Sequence, residues 1–186
     1  LRFELLYAKH GSAVKAYVLR RAHASLADDV VAEVFVVCWR RFEEVPPEPL
    51  PWLLGVARRV LSTQRRGERR RIALCDRLAE VAAGANEQAP TDLLASVPEA
   101  GYQALANMAD PTLAAALARL SEAERELLLL IAWEGLTPAE AATVLDIKPA
   151  TARVRLLRAR RRLTRALSRE RSDLTTRQSL SMEAPS

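Results

Sequence analysis

Apolar positions recur at helical spacing through most of the chain. Phe3, Leu6, Tyr7 and His10 are followed at that spacing by Val14, Tyr17 and Val18. The pattern predicts an opening helical region, interrupted or kinked at Gly11-Ser12. Val31, Val34, Phe35, Cys38 and Phe42 make the inner stripe of a second helix, DDVVAEVFVVCWRRF. Asp28 and Asp29 suit its N-terminus, and Arg40 and Arg41 its C-terminus, because those charges complement the helix dipole. The segment EEVPPEPLP, residues 43–51, cannot continue a helix through four prolines. A third helix is predicted from Trp52, WLLGVARRVLSTQRRGERRR, apolar early and basic late.

A second helical block follows further on. SEAERELLLLIAWEG carries Ser121 and Glu124 in capping-box register, with Gly135 as its stop. Thr137 and Glu140 repeat the box, and Pro138 falls at the first helical position, where its missing N–H is not needed. Ala141, Ala142 and Leu145 give a small apolar inner face. Asp146 stands where a tight turn needs a left-handed residue, a region Asp tolerates better than most. Pro149 marks another helix start. Successive helical residues rotate by about 100°, so Ala152, Leu156, Ala159 and Leu163 form an inward stripe. Ala150, Val154, Leu157, Arg158 and Arg161 face outward, flanked by Arg153, Arg155, Arg160 and Arg162. Two short helices and a tight turn make a helix-turn-helix.

Charge sharpens this picture. The chain has 186 residues and a net charge of +5, from 28 basic and 23 acidic side chains. The modest net value hides strong segregation. From Lys148 to Arg165 there are many arginines and no acid, a surface suited to a polyanion. Arg58, Arg59, Arg65, Arg66, Arg69, Arg70 and Arg71 make a second basic patch. Between Ala79 and Thr112 the charged residues are Glu80, Glu87, Asp92, Glu99 and Asp110 alone, among Gly84, Pro90, Pro98, Gly101 and Pro111. This reads as a flexible acidic linker with a helical turn near Tyr102 to Met108.

The expected fold is therefore all-α, two small helical domains joined by that linker. The boundaries expected are 1–78, a linker at 79–112, a second domain at 113–167 and a polar, disordered tail at 168–186. Cys38, Cys75, His10 and His23 are too dispersed for a zinc pattern. Cys38, on an apolar face, reads as a buried thiol. There is no nucleophile–base pair and no phosphate-cradling glycine loop, so the chain is expected to be no enzyme and to use no cofactor. No apolar run is long enough for a membrane span and no signal peptide is visible; the expected compartment is the cytoplasm.

Geometry divides the labour on the arginine-rich helix. Outward residues near its start can reach base edges in the major groove, with Arg158 the best candidate for a guanine. The flanking arginines would hold phosphates and set register.

Together these residues resemble the extracytoplasmic-function group of bacterial sigma factors, the promoter-recognition subunits of RNA polymerase. DDVVAEVFVVCWRRF resembles the group's region 2.2, and WLLGVARRVLSTQRRGERRR its region 2.3–2.4 helix. LSEAERELLLLIAWEGLTPAEAATVLDIKPATARVRLLRARRRL resembles region 4. The resemblance implies that Lys148, Thr151, Arg153, Val154, Arg155, Leu157, Arg158 and Arg161 contact the upstream (−35) promoter element. It implies that the loop from Glu44 to Pro51 captures a flipped base of the (−10) element. Trp52, Arg58, Arg59, Gln64, Arg65, Arg66 and Arg69 would then contact the melted strand, by stacking and by neutralising its backbone. Asp28, Asp29, Glu33, Val36 and Arg40 would dock on a coiled coil of the polymerase β′ subunit. The partners implied are core RNA polymerase through β′ and β, promoter DNA and an anti-sigma protein, with no membrane insertion. The linker would thread towards the polymerase active centre.

Two other classes fit the sequence less well. A stand-alone helix-turn-helix regulator explains the C-terminal block but not the basic helix after Trp52. A nucleic-acid-modifying enzyme would need a catalytic constellation that the sequence does not offer.

Overall fold

The computed structural model describes residues 2–82 and 110–182, and among them every regular element is helical. The chain divides into two compact units, Leu1–Gln103 and Ala104–Ser186.

In the first unit, α1 spans Arg2–Leu19, α2 Ala24–Arg40 and α3 Pro49–Ala82, with a short 3-10 turn at Phe42–Glu44. The three helices pack around Val14, Tyr17, Val18, Ala27, Val30, Val34, Cys38, Leu53, Leu54 and Ala57, all fully buried. Burying such side chains stabilises the domain by roughly 1.5–3 kcal/mol each for the larger ones. Cys38 is among them, and burial pushes its thiol pKa up, so it stays a neutral packing group.

The sequence-based expectations need four corrections here. First, α1 is continuous through Gly11 and Ser12. One helical glycine costs only about 1 kcal/mol, and the Tyr7 ring lies over Gly11, 3.6 Å from where a Cβ would stand. Second, α2 begins at Ala24, a turn before Asp28, because the His23 imidazole caps it by accepting from the Ser25 N–H. Third, α3 begins at Pro49 rather than Trp52. Its first-turn N–H groups have no intrahelical partner, so Pro49 and Pro51 lose nothing there. Fourth, α3 continues past Arg71, where the predicted segment ends, to Ala82; Leu, Arg, Glu and Ala are good helix formers, and the next glycine is Gly84.

In the second unit, α4 spans Pro111–Ala118, α5 Glu122–Ala132, α6 Pro138–Leu145 and α7 Pro149–Met182. Asp110 caps α4 by accepting from the Thr112 and Leu113 N–H groups at 2.9 and 3.1 Å. The buried Arg125 guanidinium donates to the carbonyls of Leu117, Ala118 and Leu120, satisfying the end of α4. The long α7 packs against α4, α5 and α6, and Arg119 ties α4 to Glu170 of α7 at 2.6 Å. The backbone from Ser168 to Met182 is helical, not the disordered tail expected. No glycine or proline interrupts it before Pro185, so the helix simply propagates. The turn expected near Tyr102 to Met108 lies outside the described residues.

Candidate nucleic-acid interface

The approach to α7 is built by local chemistry. Thr137 and Glu140 form the expected capping box: Glu140 Oε2 accepts from the Thr137 N–H at 2.7 Å and hydroxyl at 2.6 Å. Those hydrogen bonds, the side-chain one first, hold the Glu140 carboxyl below its ordinary pKa. α6 ends at Asp146, which adopts the left-handed region with φ 54° and ψ 49°. The Asp146 and Ile147 N–H groups then reach back to the carbonyls of Thr143 and Ala142, at 3.3 and 3.0 Å. This closes the helix end and turns the chain into Pro149, the first residue of α7. Ala141, Ala142, Ala152 and Ala159 are fully buried, so small side chains let α6 and α7 approach closely.

α7 shows the two faces read from its sequence. Ala152, Leu156 and Ala159 point inward, and Leu163 is half-buried. Lys148, Ala150, Thr151, Arg153, Arg158, Arg160 and Arg161 are exposed, and Arg155 is half-buried. Val154 and Leu157 are 50% and 53% exposed, two apolar groups left in water between cations. Such a surface matches a major groove, where apolar groups meet thymine methyls and guanidinium groups meet guanine or phosphate.

Beside this face lies an open groove of about 630 Å³ between the start of α5 and α7. Ser121, Ala123 and Glu124 line one side; Ala150, Thr151, Val154, Arg155, Arg158 and Arg162 line the other. Here the structure departs from expectation. Arg162, read as a free phosphate-holding flank, donates Nη1 to both oxygens of Glu124, at 2.8 and 2.9 Å. Glu124 also accepts from the Ser121 hydroxyl at 2.9 Å in the α5 capping box. Burial pushes the Glu124 pKa up, but the hydrogen bonds from Ser121 and Arg162 outweigh it, and the net shift is downward. Sequence reasoning found the box but not the partner, because nothing local marks a contact 38 residues away.

The second basic patch lies on α3. Arg58, Arg59, Arg66 and Arg69 are exposed, as a cation-bearing helix face requires. Arg66 Nε donates to the Ser62 carbonyl, Arg70 Nε to the Arg66 carbonyl, and Arg71 pairs with Glu68. Arg65 differs: its Nη2 donates to the Arg21 carbonyl at 2.9 Å, which commits that end of the side chain to the protein. Gln64 is half-buried, with Oε1 enclosed and without a hydrogen-bond partner. Trp52, at the fourth position of α3, is half-buried, so part of its ring meets solvent. The proline segment leads in from Glu44, which pairs with Arg41.

On α2, Asp28, Asp29, Glu33, Val36 and Arg40 are all exposed. Asp28 is nonetheless paired, 2.7 Å from Lys15 of α1, and that contact raises the lysine pKa. Sequence reasoning missed Trp39 on this face. It is 65% exposed, three residues after Val36, and its ring meets Phe3 edge-on at 5.1 Å between centroids. Helical spacing from Val36 was the available signal.

Among the described residues no cluster of His, Cys, Asp and Glu could hold a metal ion, and no helix is long and apolar enough to cross a membrane.

Comparison with known proteins finds two family matches along the chain. Residues 6–71 match the model of Sigma-70 region 2, and residues 112–163 match that of Sigma-70, region 4. The ECF RNA polymerase sigma factor SigL of Mycobacterium tuberculosis is 31% identical over 155 residues, covering 81% of this chain and 80% of that protein. RNA polymerase sigma factor NccH of Alcaligenes xylosoxydans xylosoxydans is 27% identical over 169 residues, 89% of this chain and 86% of that protein. Among solved structures, the sigma factor RpoE of Bartonella quintana, in complex with the anti-sigma factor NepR, has the same fold. Its TM-score is 0.56 at 21% identity, covering 90% of this chain and 97% of that one. The structure of CnrH with the cytosolic domain of CnrY gives 0.52 at 23% identity, with 89% and 87% coverage.

Proposed function

The chain belongs to the extracytoplasmic-function sigma factors, RNA polymerase subunits that direct promoter recognition and transcription initiation, and from that membership we propose how its own residues divide the work. The outward face of α7 reads the upstream promoter element. Val154, Leu157 and Arg158 meet base edges, and Lys148, Thr151, Arg153, Arg155 and Arg161 hold the flanking phosphates. The observation that carries this reading is the exposure of two apolar side chains, Val154 and Leu157, within a helix face rich in cations.

The exposed arginines of α3, Arg58, Arg59, Arg66 and Arg69, track the backbone of the downstream element once it melts, with Trp52 as the stacking ring. Gln64 and Arg65 support that surface from its half-buried side. The face of α2 that presents Asp29, Glu33, Val36, Trp39 and Arg40 docks on the β′ subunit of core polymerase. Asp28 contributes less than its neighbours, since Lys15 already neutralises it. The protein performs no catalysis of its own; the polymerase supplies the chemistry. It works in the cytoplasm, where core polymerase and promoter DNA are. An anti-sigma protein is a further partner, a reading supported by the sigma factor RpoE, solved in complex with the anti-sigma factor NepR.

The test is transcription from a promoter library by purified core polymerase with and without the protein. Transcripts that start at shared upstream and downstream elements only when the protein is present support the reading. Binding to a defined DNA sequence without core polymerase, and no transcripts with it, would favour a stand-alone regulator.

A further inference from the structure

Non-specific DNA affinity grows with every phosphate that a cation neutralises, and it grows equally for every sequence. A reading helix as rich in arginine as α7 therefore risks binding all DNA well. One of its arginines is withheld. Arg162 lies one helical turn after Arg158 and lines the same groove as Val154, Arg155 and Arg158. Its side chain is 63% exposed, so it sits at the surface where phosphates would approach, yet Nη1 spans both oxygens of a Glu124 carboxylate that is 8% exposed.

The carboxylate does not depend on Arg162 for its position. Glu124 is the third residue of α5 and is held by the Ser121 hydroxyl and N–H, at 2.9 and 3.4 Å. It is an acceptor with contacts of its own, besides the one to the arginine. A phosphate that approached Arg162 would have to displace this contact and would meet the Glu124 charge as well.

We propose that Glu124 is a positioning residue that sets DNA specificity: by holding Arg162 it removes one arginine from the phosphate-contacting set of α7. Discrimination between promoter and other DNA then rests more on the base-facing side chains, Arg158 among them. The inference rests on the reading of α7 as the upstream-element helix.

The test measures binding of the holoenzyme, full chain plus core polymerase, as a function of salt. Two fragments serve as probes: a promoter selected from a random library by the wild-type holoenzyme, and the same fragment with its upstream element scrambled. Glu124→Gln keeps a neutral acceptor that a capping box accepts and removes the charge that holds Arg162. The slope of log affinity against log salt should steepen by about 0.9, one phosphate's worth. Affinity for the scrambled fragment should rise several-fold, and the ratio between the two fragments should fall. Adding Arg162→Gln to Glu124→Gln should remove the extra slope, and Arg162→Gln alone should leave the wild-type slope unchanged.

Two results overturn the proposal. One is a shallower slope in Arg162→Gln alone, which would put Arg162 on phosphate despite Glu124. The other is a uniform loss of affinity in Glu124→Gln without a steeper slope, which would make Glu124 a packing residue only. The Arg162→Gln arm can overturn the proposal even where Glu124→Gln fails to fold, because Arg162 is a surface side chain and its loss leaves the Ser121 box intact. Arg158→Ala separates the two levels. If it leaves upstream binding untouched, the reading of α7 itself fails; if it behaves as a base reader while the Glu124 and Arg162 variants do not respond, only this inference fails.

Discussion

Arg65 donates its Nη2 to the main-chain carbonyl of Arg21 across 2.9 Å, joining α3 to the turn that ends α1. Arg66, the next residue, is exposed and donates only to its own helix, at the Ser62 carbonyl. Two adjacent arginines thus have different duties. Arg65→Ala should lower the stability of the N-terminal domain by about 1.5–3 kcal/mol, the range for a hydrogen bond to a charged group. Arg66→Ala should leave stability within about 0.5 kcal/mol of wild type and slow promoter opening. Thermal unfolding of the two variants, with opening followed by a fluorescent base in the downstream element, checks both. Equal stability loss in the two would contradict the division.

Arg158 is exposed on the outward face of α7, one turn after Val154. Arg158→Ala should weaken recognition at one upstream base pair by about 1–3 kcal/mol and leave other positions nearly unchanged. Competition binding with single-base-pair variants of the upstream element measures this. An equal loss at every position would assign Arg158 to phosphate.

Asp146 is the described non-glycine residue with positive φ. Outside Gly, Asn and Asp that conformation costs about 1–2 kcal/mol. Asp146→Ala should therefore destabilise the C-terminal domain by about that amount, and Asp146→Gly should not. Chemical denaturation of both variants tests it; a destabilised glycine variant would show that the Asp side chain matters more than its backbone.

Glu124 and Glu140 both have pKa values below the ordinary carboxylate value of 4.5. A carboxyl depressed by folding contributes stability that is fully present above its unfolded pKa and is lost as pH falls through the folded one. The C-terminal domain should hold its stability down to about pH 5 and lose it progressively on further acidification. Glu124→Gln and Glu140→Gln should each flatten that decline. Unfolding free energy measured between neutral and acid pH checks the sign, and a stability that rose on acidification would contradict it.

Much of the fold was legible because it rests on local rules. The two capping boxes, the left-handed Asp146 and the inward stripe of Ala152, Leu156 and Ala159 all follow from residues a few positions apart. Element ends were less legible. Pro49 and Pro51 look like breakers in isolation, yet the first turn of α3 tolerates them. Gly11 looks like an interruption, yet Tyr7 covers it. The interface divided in the same way. Which arginines of α7 face outward follows from a 3.6-residue repeat. That Arg162 and Arg65 are already engaged does not, because Glu124 and Arg21 are distant in sequence and brought near only by packing.

On the proposed reading, this chain gives core polymerase a promoter to start from, through α7 upstream and α3 downstream. Run-off transcription by core polymerase, with the wild-type chain, Arg158→Ala or Arg66→Ala added, tests it most directly. The expected result is promoter-specific transcripts with wild type, reduced initial binding with Arg158→Ala, and normal upstream binding but slow opening with Arg66→Ala. Transcription that is unchanged by adding the wild-type chain would contradict it.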